Sequence, residues 1–409
     1  MKKRRNHSFL AVLLALLLLS LFSCEASTPA PVAPSTDETP SLQETPAEQT
    51  ESVESVFSIG RRSTLSTYQN KSAEDFTQAC TAFEEQGYIL YAAREIGGNL
   101  FKTYTKADAL AHLCYHPALR ELTVALSDRE GSTLPPPSPA QTEAVCESLV
   151  TQLEQKENGG NGMGYVIRLS DGSFLIYDGG YAEGADEILQ ILKEQSPTEI
   201  PLVRAWIITH FHSDHCTAFH EMARRAKEAP PFTLEYVLAA PPVQKSYESL
   251  LSVFSADLAS FPEARYVYPH TGMTFSFSDL TLEILYSPES LWKKTPILEN
   301  FNDSSIVSRL QGESGSLLIT GDVAREGAAL IETLYGNALK SDMVQMSHHG
   351  LEDCPLSFYE KVRPTVLWIP CGASSYHSLR NRAVRQAVEA LPCVKETLVA
   401  GNGRATRPF

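Results

Sequence analysis

The stretch Leu202-Val203-Arg204-Ala205-Trp206-Ile207-Ile208-Thr209-His210-Phe211-His212-Ser213-Asp214-His215 passes from an apolar run straight into histidines and an aspartate. The apolar part suits a buried strand. The histidines then sit at its carboxyl end, where α/β folds gather their ligands. Side chains on an extended chain repeat every second residue, so His210 and His212 face the same way. The chain then turns: Asp214 opens a helix and His215 swings to the other side. The first pair can hold one metal ion, and Asp214 with His215 a second. Imidazole and carboxylate donors suit zinc, with manganese or iron open. His220 falls on the following helix and reads as structural. Cys216 reads as a satisfied buried thiol.

Outward from this stretch, strands and helices alternate. Gly164–Leu169 and Ser173–Tyr177 are strand-like around an Asp171-Gly172 turn, and Ala185–Glu194 is helical. Further strand patterns lie at Leu234–Ala239, Met273–Phe277, Leu280–Tyr286, Ser305–Leu310, Ser316–Thr320, Met343–Gln345, Val366–Ile369 and Lys395–Ala400. Helical patterns separate them at Tyr247–Leu258, Gly327–Leu334 and Arg380–Ala390. Such alternation over residues 146–409 points to a layered α/β body. Upstream, Ser72-Ala73-Glu74-Asp75 opens a helix that Gly87 ends. Strand runs follow at Tyr88–Ala92, Leu100–Tyr104, Ala109–Cys114 and Leu122–Leu126, with a turn at Gly97-Gly98-Asn99. A small α+β domain over 57–132 is expected, joined to the larger body by a Pro-rich linker over 133–145.

The amino-terminal segment belongs to neither. Lys2, Lys3, Arg4 and Arg5 precede the apolar run Phe9–Phe22, which suits a secretory signal and is short for a membrane span. Leu21-Phe22-Ser23-Cys24 resembles the bacterial lipobox, with Phe22 where a small residue is usual. Residues 1–24 therefore read as a lipoprotein-type signal with a lipid on Cys24. Secretion after cleavage near Ala26 and an uncleaved anchor are the alternatives. Residues 25–56 are rich in Ser, Thr, Pro, Ala, Glu and Gln, cannot bury a core, and read as a disordered tether. The expected location is the outer face of a cell membrane. Lys and Arg total 34 against 49 Asp and Glu, a net charge of −15. That acidity argues against a duplex nucleic-acid surface. Apart from Cys24 there are seven cysteines, an odd number without zinc-ribbon spacing, so this is no disulfide framework.

His210-x-His212-x-Asp214-His215 resembles the HxHxDH signature of the metallo-β-lactamase fold, an αββα sandwich of hydrolases with one or two metals. Other landmarks appear in family order. Phe174–Gly180 (FLIYDGG) looks like the early strand whose aspartate, here Asp178, supports the metal loop without binding metal. Leu317–Asp322 (LLITGD) looks like the strand carrying the metal-bridging aspartate. Ser347-His348-His349-Gly350 looks like the late histidine motif. The resemblance covers residues 146–409. It implies metal ligands His210, His212, Asp214, His215, Asp322 and His348, with His349 near the substrate. It implies catalytic roles for Asp214, Asp322 and His349. It also implies one or two zinc ions that generate hydroxide at neutral pH.

The pattern departs from the family in two places. Cys216-Thr217-Ala218 stands where Gly-Gly is common. Ser287-Pro288-Glu289-Ser290 stands where a further histidine usually completes the first metal site, and His270, before that strand, reads as structural. Asn302–Val307 (NDSSIV) resembles a motif of the branch that contains competence-type DNA-uptake hydrolase domains, whose first site is also histidine-poor. That branch implies phosphodiester or phosphate-ester hydrolysis. The acidic surface favours a small-molecule or cell-surface ester over duplex DNA. Lactone or β-lactam hydrolysis, and a non-catalytic surface module, are the alternatives. Asn302, Ser304, Tyr376 and His377 are further residues near the expected site.

Overall fold

The computed structural model describes residues 53–60, 63–127, 134–135, 144–156, 161–227, 229–242, 248–292, 298, 300–351, 353–378 and 382–409. The signal, Cys24 and the tether up to residue 52 lie outside these residues. Among the described residues no helix is long and apolar enough to cross a membrane.

The larger body is two seven-stranded sheets face to face with helices outside. The first sheet runs β12-β11-β10-β9-β8-β7-β20. These are β7 (Leu149–Gln152), β8 (Gly164–Arg168), β9 (Phe174–Asp178), β10 (Leu202–Ile208), β11 (Thr233–Ala239), β12 (Arg265–Val267) and β20 (Ala405–Pro408). The second runs β13-β14-β15-β16-β17-β18-β19. It holds β13 (Thr274–Phe277), β14 (Leu280–Tyr286), β15 (Val307–Gln311), β16 (Ser316–Ile319), β17 (Met343–Gln345), β18 (Val366–Ile369) and β19 (Glu396–Val399).

Strand alternation builds the layers. In β10, Ala205 and Ile207 face the second sheet and join Leu175, Tyr177, Ile284, Ile319 and Trp368 in one core. Val203, Trp206 and Ile208 point outward to α2 (Gly184–Gln195) and α3 (Ser213–Ala226), meeting Ile188, Phe219 and Met222. On the far side Leu318, Val344 and Leu367 meet α6 (Arg325–Tyr335), α7 (Leu356–Val362) and α9 (Ala383–Glu389). Strands buried on both faces explain the near-continuous apolar runs of β10 and β18. This is the αββα sandwich.

Residues 53–127 form a six-stranded antiparallel sheet, order β1-β2-β6-β5-β4-β3, with one helix. The strands are β1 (Val53–Gly60), β2 (Ser63–Tyr68), β3 (Ile89–Ile96), β4 (Asn99–Lys106), β5 (Ala109–His116) and β6 (Glu121–Ser127). β1 begins at Val53, inside the stretch expected to be tether. Its pairing with β2 gives those backbone groups ladder partners that composition does not reveal. Helix α1 (Ala73–Glu85) starts in the capping box read from sequence, Ser72 with Asp75. Its Phe76 and Phe83 pack on Tyr104, Ala111, Leu113 and Val124, each burial contributing about 2 kcal/mol. Gly97 and Gly98 both adopt positive φ in the β3–β4 turn.

The opposite face of this sheet lies on the sandwich. Phe101 and Cys114 enter the core beneath α6. Arg94 reaches Glu283 of β14 at 2.8 Å, and the Asn99 amide donates to Leu334 O at 2.7 Å. The linker is not free of the body either: Leu134 is buried in the inter-sheet core and Pro135 O accepts from Tyr91.

Candidate metal centre

The site forms where strand ends of both sheets meet. β10 ends at Ile208, and Thr209–His212 lead into α3, with His212 as its extended N-cap at ψ 150°. His210 and His212 therefore point the same way, their Nε2 and Nδ1 3.0 Å apart. The first turn of α3 brings Asp214 and His215 round to the other side.

Asp178 fixes this loop from below. It ends β9 at φ +52°, a conformation uncommon outside glycine. Its carboxylate accepts from Thr209 N and Thr209 Oγ1 at 2.7 Å each and pairs with His215 Nδ1 at 2.8 Å. A carboxylate on one ring nitrogen aims the other, here Nε2, at the site. Gly179 and Gly184 let α2 and α3 close on the strand end: a Cβ at Gly184 would lie 1.9 Å from Gly179 O.

Asp322 enters from the second sheet, past the end of β16. The Asn302–Ser305 segment braces it. Ser305 Oγ accepts from Asp322 N at 2.9 Å. Asp303 Oδ1 accepts from Ala324 N at 2.8 Å and Gly327 N at 3.0 Å, holding the start of α6. The motif read as a branch signature is thus a cradle for the aspartate. Buried Gln345, which the sequence reading passed over, does the same from β17: its amide donates to Gly321 O and accepts from Thr320 N.

The donors converge on one oxygen. Asp322 Oδ2 lies 3.2 Å from His215 Nε2, 3.4 Å from His349 Nε2, 3.8 Å from His210 Nε2 and 4.0 Å from His348 Nε2. His349 Nε2 is also 3.1 Å from Asp214 Oδ2. Two compact groups result: Asp214, His215, Asp322 and His349, and beside it His210, His212 and Asp322. Donors of one ion at about 2.1 Å stand roughly 3–4 Å apart, so these spans fit a shared divalent cation.

Satisfaction gives an independent test of fit. Asp322 Oδ1 is buried with no hydrogen-bond partner, and the Nε2 atoms of His215 and His349 face only carboxylate oxygens, Asp322 Oδ2 at 3.2 Å and Asp214 Oδ2 at 3.1 Å. Buried polar atoms are otherwise nearly always paired, so these are donors shaped for an ion. The charges agree. Burial opposes ionisation of Asp322, yet His215 and His349 hold its carboxyl well below the usual range. Burial likewise opposes ionisation of Asp214, yet the hydrogen bond from His349 and the nearby His215 bring it down to about 2. Burial disfavours the charged form of His349, but Asp322 and Asp214 lift it to about 9. The acids that draw protons onto His215 and His349 are the acids that would hold a cation there.

The two late histidines stand otherwise than expected, though His348 Nε2 also faces Asp322 at 4.0 Å. His349, not His348, joins the four-donor group. It is buried, and its Nδ1 pairs with Pro370 O at 2.8 Å, which fixes the ring with Nε2 towards Asp322 and Asp214. His348 stands at the rim, 22 % exposed, with Nδ1 against Asp353. The cause is the backbone: both residues take positive φ in succession, 48° and 57°, a reversal no strand or helix pattern announces.

The remaining residues have local partners. Cys216 turns away, its Sγ 3.4 Å from His220 Nε2, and His220 pairs in turn with Asp257. Ala218 packs against Gly179 and donates its N–H to Gly180 O, so no glycine pair is needed there. Glu289, in the place of the absent histidine, pairs with His270 at 2.8 Å and accepts from Thr271 N. The Tyr376 hydroxyl donates to Glu389. The seven described cysteines are free thiols.

Residues 158–353 match the Metallo-beta-lactamase superfamily, and the two-sheet order is consistent with that sandwich fold, with a candidate His/Asp metal site. The chain is similar to the metallo-β-lactamase fold protein YhfI from Bacillus subtilis, at 11 % identity over 64 % of this chain and 100 % of that one, TM-score 0.42. It is also similar to CmlA, a diiron β-hydroxylase from Streptomyces venezuelae, at 13 % identity, 66 % of this chain, 55 % of that one and TM-score 0.40. Tm1679, a metal-dependent hydrolase of the β-lactamase superfamily, gives 11 % identity, 64 % and 99 % coverage and TM-score 0.38. No curated protein matches.

Proposed function

We propose that the chain is a hydrolase that binds two divalent ions, zinc foremost, and cleaves a phosphodiester or phosphate ester. One observation carries the reading: four imidazole nitrogens from separate directions lie within 4.0 Å of a single carboxylate oxygen of Asp322. His210, His212 and Asp322 would hold one ion; Asp214, His215, Asp322 and His349 would hold the other. A divalent ion supplies Lewis-acid activation of water and of a substrate oxygen.

The chain's own groups do the rest. Asp322 joins the two sites and fixes their spacing. Asp214 is 22 % exposed and is the carboxylate on the open side, placed to orient the attacking water. Asp178 and Pro370 O hold His215 and His349 so that their Nε2 atoms need no reorganisation. The ester preference is supported by the resemblance of the Asn302–Val307 and Ser347–Gly350 motifs to the competence-type branch. Export and lipid attachment at Cys24 are supported by the amino-terminal segment alone.

Zinc- or manganese-loaded protein should turn over bis-p-nitrophenyl phosphate and lose that activity with chelator. Turnover of a lactone or β-lactam in its place would reassign the substrate, and a protein that binds no metal would overturn the reading. Cys24→Ala should shift the protein from the membrane fraction to the medium; an unchanged distribution would refute the anchor.

A further inference from the structure

Two arginines are buried among the described residues, Arg309 and Arg385. Arg309 is met by Glu283 at 2.7 Å. Arg385, on α9, is only 4 % exposed, yet among the described residues no carboxylate pairs with it. Glu389, one turn further along α9, is engaged by the Tyr376 hydroxyl instead. A charge taken out of water without a counter-charge is costly. We propose that Arg385, laid on Tyr376, is an anion subsite: it takes a phosphate or carboxylate group of the substrate while the scissile phosphate lies at the ions. The proposal rests on the ester reading above and narrows its substrate class to esters that carry a second negative group.

The guanidinium is held but not neutralised. Its Cζ lies 4.5 Å from the centroid of the Tyr376 ring, and Nη2 donates to Tyr376 O. Nε is buried without a hydrogen bond. Buried polar atoms are nearly always paired, so a donor left over on a buried cation points to an acceptor that the chain does not supply. Arginine binds phosphate and carboxylate through parallel N–H donors. Stacking on the tyrosine fixes the plane of that fork in advance, which spares the ordering that binding otherwise costs.

Its supports start from the two strand ends that hold His349. β17 ends at Gln345 and β18 at Ile369, and ligands of layered α/β folds gather beyond such carboxyl ends. Past β18, Pro370 O holds His349 Nδ1, and the chain then turns into the short helix Ala373–His377, which carries Tyr376. Past β17, His349 is followed by Gly350 at φ +81°. A Cβ at Gly350 would lie 3.3 Å from Arg385 Cδ, so the arginine stem crosses the residue next to His349. The subsite and the metal centre are therefore built on one stretch of backbone.

The first test is calorimetric titration of inorganic phosphate into metal-free protein from which chelator has been removed. Wild type should bind phosphate, and Arg385→Gln should weaken it at least about 10-fold. Tyr376→Leu, which leaves the charge in place, should weaken it about 3-fold. No binding by wild type, or unchanged affinity in Arg385→Gln, would overturn the subsite; if Arg385→Gln does not fold, unchanged affinity in Tyr376→Leu would do so. The second test uses metal-loaded protein and the p-nitrophenyl ester of thymidine 5′-phosphate. Adding a 3′-phosphate to that ester should lower KM at least about 10-fold, and Arg385→Gln should erase the gain. No gain in wild type, or a gain that survives in Arg385→Gln, would overturn the substrate role. Phosphate held through Arg385 by a protein that turns over no phosphate ester would overturn the ester reading and leave the anion subsite standing.

Discussion

Two buried clusters of histidine and acid invite comparison. At the junction of the small domain with the sandwich, polar atoms meet protein partners. His112 uses both ring nitrogens, with Thr103 Oγ1 at 2.8 Å and Thr271 O at 2.9 Å. His116 Nδ1 meets Asn99 at 2.9 Å, and Glu283 lies between Arg94 and Arg309 at 2.8 and 2.7 Å. At the candidate metal centre the same residue types turn four imidazole nitrogens towards one carboxylate oxygen and leave the other oxygen of Asp322 without a hydrogen bond. Composition does not separate the two clusters; the convergence of four imidazoles on one carboxylate oxygen does. A closed network locks two layers together, and an open one awaits a charge from outside.

The contrast can be broken from either side. Asp322→Asn should have the largest effect, removing both ions and lowering turnover by about 10³-fold or more, read by ion content and hydrolysis rate. Near-normal activity would mean that Asp322 is not the shared donor. At the junction, Glu283→Ala strands Arg309, whose side chain is only 11 % exposed. It should cost about 3–5 kcal/mol in urea unfolding with the ion count unchanged; loss of metal there would show that the clusters are coupled.

Acid should probe the junction next. Burial, reinforced by the nearby His270, holds His112 down to about 4 from 6.5. Folding therefore favours its neutral form. The stability it adds is complete above pH 6.5 and is lost as pH falls toward 4, at most about 3 kcal/mol. The difference in urea midpoint between pH 7 and pH 4.5 should shrink in His112→Gln; an unchanged difference would remove His112 as the titrating group. Cys216→Ala should have the smallest effect, about 1 kcal/mol from a small cavity between helices, with metal content unaltered. A lost ion would make Cys216 part of the centre.

How much of this was legible beforehand follows the same division. The β10–α3 half of the centre is continuous in sequence, and periodicity alone orients His210 and His212 together and sends His215 the other way. Asp178 and Asp322 were legible through resemblance, since Gly321-Asp322 alone reads as a turn. The order of His348 and His349 was not legible, because it depends on two left-handed residues in succession. Gln345 was missed because a glutamine ending a short strand carries no pattern. The small sheet was read only in part: β1 and β2 lie in or beside a polar, Ser- and Thr-rich stretch; they pair with each other, and β2 meets its second partner, β6, only far along the chain. The junction escaped notice for the same reason, since Arg94 and Glu283 are brought together only by the tertiary fold.

The claim at the centre is that Asp322 stands between two ions. Anomalous diffraction at the zinc edge from crystals of zinc-loaded protein measures this directly. The expected map has two peaks about 3.5–4 Å apart, one beside His210 and His212, the other among Asp214, His215 and His349, with Asp322 reaching both. An absence of peaks there, or zinc bound elsewhere with His215 and His349 unliganded, would contradict it.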